Sequence, residues 1–501
     1  MKFKDYFSLL LSAGTGSFAT QQKQHTRNIL FSGHRHDVER KFDPINLLAA
    51  NTTSALSHQN STDTTNIDFK EQTPRTLSSD EWDQFGEDIL GEAHLDVSGK
   101  GLSISDNGSI VAIGAIDNDG TANNVEDDQG HTRVYEYNGI SWNKLGSDID
   151  GEYPEDNYGF DVSLSGLGTT LAVSAPGHDR TTTTIHENIG RVQIFRFIGT
   201  DWVQIGSDIF GESAEDLNGF SVSLSHDGNS IAIGAPQLTK PGYARVYKNE
   251  NSTSDWIQQG TTILGEGNFD KCGSSVSLSG DGNFLAIGAP SNNPDDEYNA
   301  NSQSGHVRVH RFIENDWSQL GQDIDGEGYY SDEFGSSVSL SYKGTVVAIG
   351  APKYDNKGEV SVYAFDTSTT LWKKRGEDLV GTTSDLFGHD VSISNDGNRL
   401  AIGSPGHGLD VGRLETYEWD DINSMWTSLK LPIIGDSIGD EFGTTVAMSG
   451  NGKRVAVGAI YHGEDTEEGD PAHFGQVKVY GESGKQYWMY QISFNQFFTT
   501  K

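Results

Sequence analysis

Apolar and small polar residues alternate through Val338-Ser339-Leu340-Ser341, and a nearly unbroken apolar run, Val347-Ala348-Ile349-Gly350-Ala351-Pro352, follows close behind. The alternating part recurs at Leu102–Ser105, Val162–Ser165, Val222–Ser225, Val276–Ser279, Val391–Ser394 and Val446–Ser449. Successive copies are 60, 60, 54, 62, 53 and 55 residues apart. Alternation is the period of a half-buried strand, and a short apolar run is that of a fully buried one. Two more strand-like segments complete each copy: Gly-x-Val-x-Val (Gly305 to Val309) and a tryptophan segment (Trp317 to Glu327). Short strands at this period predict a closed ring of small sheets. The expected fold is all-β: a seven-bladed β-propeller over 81–481, each blade an antiparallel sheet of strands A to D.

The connections support this. Asp227-Gly228, Asp281-Gly282 and Asp396-Gly397 lie between strands A and B, as do Asn107-Gly108 and Asn451-Gly452. Such pairs accept positive φ and predict type I′ hairpins. Trp82, Trp142, Trp202, Trp256, Trp317, Trp372 and Trp426 recur once per copy. Large rings at this spacing are expected to wedge between neighbouring sheets. Trp82 precedes the first alternating segment, so residues 82–92 are expected to complete the seventh blade. Tyr487 to Ile492 imitates the same segment and competes for that edge.

Residues 1–80 lack the period. Met1 to Ala13 resembles a signal peptide, placing a boundary near residue 20. Residues 21–80 are expected to be largely disordered linker, with a short helix around Val38 to Ala50, and 482–501 a C-terminal tail. Asn51 to Asn66 has too little apolar surface to offset ordering entropy. Export would make Asn51, Asn60, Asn107 and Asn251 glycosylation acceptors. The localisation expected on this basis is extracellular or cell-surface, with a cytoplasmic protein as the alternative. No apolar run is long enough for a membrane-spanning helix.

Charge changes the picture of partners. The net charge is −37; residues 1–80 hold 9 Lys+Arg and 8 Asp+Glu, and the remainder holds 26 and 64. So acidic a surface repels nucleic acid. Cys272 is the one cysteine, so no intrachain disulfide forms. It reads as a small packing residue.

Phe334-Gly335-Ser336-Ser337-Val338 with Gly350-Ala351-Pro352 resembles the FG-GAP repeat of the integrin α-subunit seven-bladed propellers and their relatives. Phe387-Gly388 with Gly403-Ser404-Pro405, and Phe442-Gly443 with Gly458-Ala459-Ile460, are looser copies. The Trp-x-Gln that follows looks like the variant found in tandem arrays of secreted proteins. The resemblance spans about residues 82–481 and implies a monomeric adhesion or recognition propeller. Integrin-type repeats often carry an Asp-x-Asp-x-Asp-Gly calcium loop between the two motifs. Here a short Ser-x-Asp-Gly-Asn turn stands there, with too few oxygens to enclose calcium.

Candidate chemistry gathers on one face, where the D–A and B–C loops emerge. Each D–A link carries Asp-x-x-Gly, at Asp96, Asp156, Asp216, Asp270, Asp332, Asp385 and Asp440. These carboxylates either cap turns or form a cation-holding ring about the axis. The B–C loops vary in length, as specificity loops do. Asp117, Asp119, Asp127 and Asp128 in one, and Asp465 and Asp470 in another, offer hard oxygens for Ca²⁺. Otherwise they are solvated acidic loops. His178, His186, His407, His462 and His473 are expected to be solvated loop residues. The recurring Ser-x-Ser of strand A reads as strand alternation rather than a nucleophile set.

The function expected is non-enzymatic binding of a protein or glycan through this face. An acid-using hydrolase or lyase, with Glu155-Asp156 and Glu215-Asp216 as candidate pairs, is one alternative. An intracellular scaffold is the other.

Overall fold

The computed structural model describes residues 80–118, 129–179, 187–250, 255–292, 304–327, 332–465 and 471–482, with the backbone of strands at 25–32, 65–71 and 487–496. The chain divides into two compact units, Asp80–Glu482 and the two terminal segments together.

The larger unit is a seven-bladed antiparallel β-propeller. Blade 4 shows the plan. Strand A is Ser275–Leu278, B is Phe284–Ala289 and C is His306–Ile313. Strand D comes in two pieces, Asp316–Gln319 and Ile324–Asp325, both paired with C. In blade 1 the strands are Ser98–Ile104, Ile110–Ala115 and His131–Tyr137, with D as Trp142–Lys144 and Ile149–Asp150. Blade 7 takes its D pieces from the start of the unit. Gln84 pairs with Tyr480 and Ile89 with Val477, so the ring closes with strands from both ends. Closure leaves only short, protected strand edges.

Strand B is the buried layer of each blade; Leu285, Ala286, Ile287 and Ala289 are at most 1% exposed. The apolar clusters join neighbouring blades. Val307 and Val309 of blade 4 pack with Val338, Val347, Ile349 and Trp372 of blade 5. Each aliphatic side chain so buried contributes roughly 1.5–3 kcal/mol. The tryptophans wedge between blades, and each indole N–H also finds an acceptor. Trp202 Nε1 donates to Leu145 O at 2.8 Å, and Trp317 Nε1 to Gln259 O at 2.8 Å.

The Ser-x-Ser motif proves to be a set of rivets. The first serine accepts an N–H from strand A of the next blade. Leu164 N donates to Ser103 Oγ, Leu224 N to Ser163 Oγ, Leu278 N to Ser223 Oγ and Leu340 N to Ser277 Oγ, all at 2.9 Å. Ser339 and Ser392 do the same for Ile393 and Met448. Ala447 stands at this position in blade 7. The second serine ties the A–B turn; Phe284 N donates to Ser279 Oγ.

The glycines of the two signature motifs meet across blades. A Cβ on Gly288 would lie 2.0 Å from the carbonyl oxygen of Gly335, and one on Gly350 2.1 Å from that of Gly388. A side chain there would force the blades apart.

One expectation is corrected. The A–B turns are not type I′. Gly228, Gly282 and Gly397 have φ of +68°, +71° and +75°, whereas Asp227, Asp281 and Asp396 are not in the positive-φ region. Gly228 N donates to Ser225 O, a four-residue turn ending on a left-handed glycine. The five-residue span from serine to asparagine, tied by the serine hydroxyl, selects this geometry over the two-residue hairpin. As expected, residues 82–92 complete blade 7, and Tyr487–Gln496 does not. It lies in the middle of a three-stranded antiparallel sheet between His25–Ser32 and Thr65–Glu71. Two strands therefore stand inside the segment read as linker. The short helix expected around Val38 to Ala50 lies outside the described residues, as do the expected cleavage region and the sequons at Asn51, Asn60 and Asn251. Among the described residues no helix is long and apolar enough to cross a membrane.

Candidate functional site

The D–A turns and B–C loops emerge together on one face, and hydrogen bonds join them. The seven Asp-x-x-Gly carboxylates are all buried, at 1–5% exposure. Five accept backbone N–H groups of their own turn. Asp96 takes Glu92 and Ala93, Asp216 takes Glu212 and Ser213, Asp270 takes Gly267, Asp385 takes Thr382, and Asp440 takes Ser437. Asp156 lies 2.9 Å from His178 Nδ1 and 3.5 Å from Arg191 Nη2. Asp332 is buried, and burial with Asp355 nearby pushes it up. No two of the seven share a three-ligand cluster among the described residues.

A residue just past strand B reaches back to several of these carboxylates. His178 bonds Asp156, Asn292 bonds Asp270, His407 bonds Asp385 and His462 bonds Asp440. This corrects the expectation of solvated histidines. His178 is 5% exposed, because the carboxylate partner offsets the loss of water around its ring. His473 Nδ1 contacts Tyr461 O, and His186 lies outside the described residues. Of the candidate calcium ligands, Asp117 is described and hydrogen-bonds by its N–H to Asp96 O. Asp465 is described as backbone in the strand Gly463–Asp465, while Asp119, Asp127, Asp128 and Asp470 lie outside. In the candidate acid pairs, Glu155 and Glu215 adopt φ of +63°, whereas Asp156 and Asp216 are interior. The pairs are thus split between turn surface and core.

The unanticipated cluster lies on the axis. Strand A is the innermost strand of every blade, and its first residues line the channel. Several are small: Ser221, Ser275, Ser337 and Thr445. Lys100, Asp161, His389 and Asp390 are not. Asp161 Oδ2 accepts Val222 N and Asp390 Oδ2 accepts Val446 N, both at 2.7 Å, so these carboxylates replace the serine hydroxyl in riveting blades. The ammonium of Lys100 lies 4.8 Å from the Phe160 ring centre. Burial in the channel pushes Asp161 up to about 7, raises Asp390, and lowers Lys100 against the pull of Asp161, Asp390 and Glu441. It also lowers His389, whose Nδ1 contacts Thr444 O. Perturbed groups of both signs in one concavity mark a candidate site. Aligning the seven copies exposes them as charged residues where their counterparts are hydroxylic, aromatic or glycine.

Farther out, an ion node recurs between blades. In four blades a cation spans an acid of the preceding blade and one of its own D strand: Arg133, Arg191 and Lys478 from strand C, and Lys374 from strand D. Arg191 does so for Glu152 at 3.2 Å and Asp208 at 3.6 Å. Lys374 does so for Glu327 at 2.8 Å and Asp378 at 2.6 Å. Blade 4 is irregular. Burial and Arg308 hold His306 down to about 4, and burial with Asp323 nearby pushes Glu266 up. Burial also pushes the Cys272 thiol up to about 11, so it is an inert packing group.

No protein-family model matches the chain. No curated protein matches it either. Among solved structures it is similar to a candidate 6-phosphogluconolactonase from Bacteroides uniformis. The TM-score is 0.48 at 11% identity, over 68% of this chain and 86% of that one.

Proposed function

We propose that this protein is a recognition propeller of the FG-GAP kind. It acts outside the cell or at its surface, as a monomer, and holds a protein or glycan against the face of D–A turns and B–C loops. Calcium in the acidic loops around Asp117 and Asp465 assists. One observation carries this reading. The same rivets, wedges and glycine contacts recur around the ring, while that face has loops of unequal length around a charged channel mouth. A rigid frame presenting variable loops is how binding sites are commonly built. The test is a glycan array and a pulldown with the full chain, with and without Ca²⁺, comparing wild type with Lys100→Ala and Glu441→Gln. Capture that weakens in both variants supports the reading. Capture indifferent to both, or none at all, defeats it.

The hydrolase or lyase reading is favoured by one observation: burial raises Asp161 to about 7 and lowers Lys100 beside it. Such a pair suits general acid–base work. Its test is a panel of glycoside, ester and uronide substrates; turnover abolished by Lys100→Met would displace the binding reading.

A further inference from the structure

We propose that the node between blades 3 and 4 is a site for a divalent first-row transition-metal ion, held by Glu266, His306 and Asp323. Among the described residues these three are the one set whose ligating atoms all lie within 4.8 Å of one another. The inference stands apart from the ligand-binding reading.

Blade 1 carries the same four residue types in the same places: Glu92, His131, Arg133 and Asp148. There the node is closed by cations. Arg133 pairs with Glu92 and reaches Asp148 Oδ1 at 3.1 Å, and Lys144 reaches that oxygen at 2.9 Å. In blade 4 the arginine is turned away. Arg308 Nη2 donates to Leu264 O at 2.7 Å, and its Nη1 stands 3.5 Å from Glu266 Oε1. Gln319 replaces the lysine and donates to Asp323 at 2.5 Å. Asp323 therefore has no ion-pair partner among the described residues.

The imidazole supplies the second, independent observation. His306 is 1% exposed, and its Nε2 has no hydrogen-bond partner. Its Nδ1 lies 3.9 Å from Glu266 Oε2, the oxygen Arg308 does not face. An interior imidazole nitrogen without a hydrogen bond is costly, and in the tautomer that leaves it unprotonated a metal bond would use its lone pair. One nitrogen with two carboxylates suits Zn²⁺ and its neighbours rather than Ca²⁺, which takes oxygens. Glu266 is exposed, so water or a ligand oxygen completes the sphere, as in open sites.

The test uses the full chain after chelator treatment, titrated calorimetrically with Zn²⁺. Wild type is expected to take up one equivalent more than His306→Ala. Glu266→Gln and Gln319→Lys, the latter restoring blade 1's lysine, are expected to weaken that equivalent at least tenfold. Excess Ca²⁺ should not displace it. Should His306→Ala fail to fold, the other two variants decide, since both positions are exposed. Equal uptake by wild type, Glu266→Gln and Gln319→Lys, no uptake by wild type, or displacement by Ca²⁺ would each overturn the assignment.

Discussion

Blades 1 and 4 are built on one plan and differ in how they treat charge. In blade 1, Arg133 and Lys144 neutralise Glu92 and Asp148. In blade 4, Arg308 turns to a carbonyl, Gln319 contributes no charge, and His306 and His310 are buried with ring nitrogens unpartnered. A repeat can thus keep its backbone and apolar wedge while one copy gives up electrostatic closure. Apolar burial sets the blade, and the polar node above it is free to diverge.

The largest test of that separation concerns the wedge. Trp317→Ala in blade 4 is expected to cost about 3–5 kcal/mol, as a buried aromatic truncation does. Trp142→Ala in blade 1 should cost less, because Trp142 is only half-buried. Denaturant midpoints of the two variants measure this; equal losses would mean that exposure does not rank the wedges.

Acid should separate the blades next. Burial, followed by Arg308, pushes His310 down to about 4. Its folded value lies below its unfolded one, so between pH 6.5 and pH 4 the unfolded chain takes up a proton that the fold refuses. Stability present above about 6.5 is lost as pH falls toward 4, by about 3 kcal/mol at most. The corresponding residue in blade 1 is Tyr135. His310→Tyr should flatten that limb of the stability–pH curve. An unchanged slope would refute the assignment. Asp161 works in the opposite sense. Its folded value of about 7 lies above its unfolded one, so its contribution declines as pH rises from about 4 to 7.

Removing a closing cation should matter less. Arg133→Gln leaves Glu92 unpaired and Asp148 with Lys144 alone. Because both acids are partly solvated, the expected cost is about 1–2 kcal/mol. Arg308→Gln should cost less, since its nearest carboxylate is 3.5 Å away. Thermal melts at low and high salt would show it, with a salt-sensitive loss confined to blade 1. The smallest effect concerns what the two blades share. Ser103→Ala and Ser277→Ala each leave one inter-blade N–H unbonded, at about 1 kcal/mol apiece. Unequal losses would show that the rivets are not interchangeable.

Much of the ring was legible in the chain. The phase of the tryptophans foretold that residues 82–92 would complete blade 7, because strand period and ring closure are local pattern plus counting. The turn type at Asp227-Gly228 is not legible, because the choice depends on a serine hydroxyl reaching across the loop. The histidines' partners are not legible either, because the carboxylates stand 22 residues earlier, in a different loop. The axial cluster is not legible in the sequence, because Lys100, Asp161 and Asp390 lie in three blades and meet only when the ring closes.

By itself the sequence determined the blade count, the strand order and the buried layer, since apolar periodicity and glycine placement act over a few residues. The tertiary structure alone decided which charges meet. Whether Arg308 faces Asp323 or Leu264 O, and whether a serine is a rivet or mere alternation, depends on ångström-scale distances between segments remote in the chain. Hydrogen bonds and ion pairs are steep functions of such distances, and no period in the sequence encodes them.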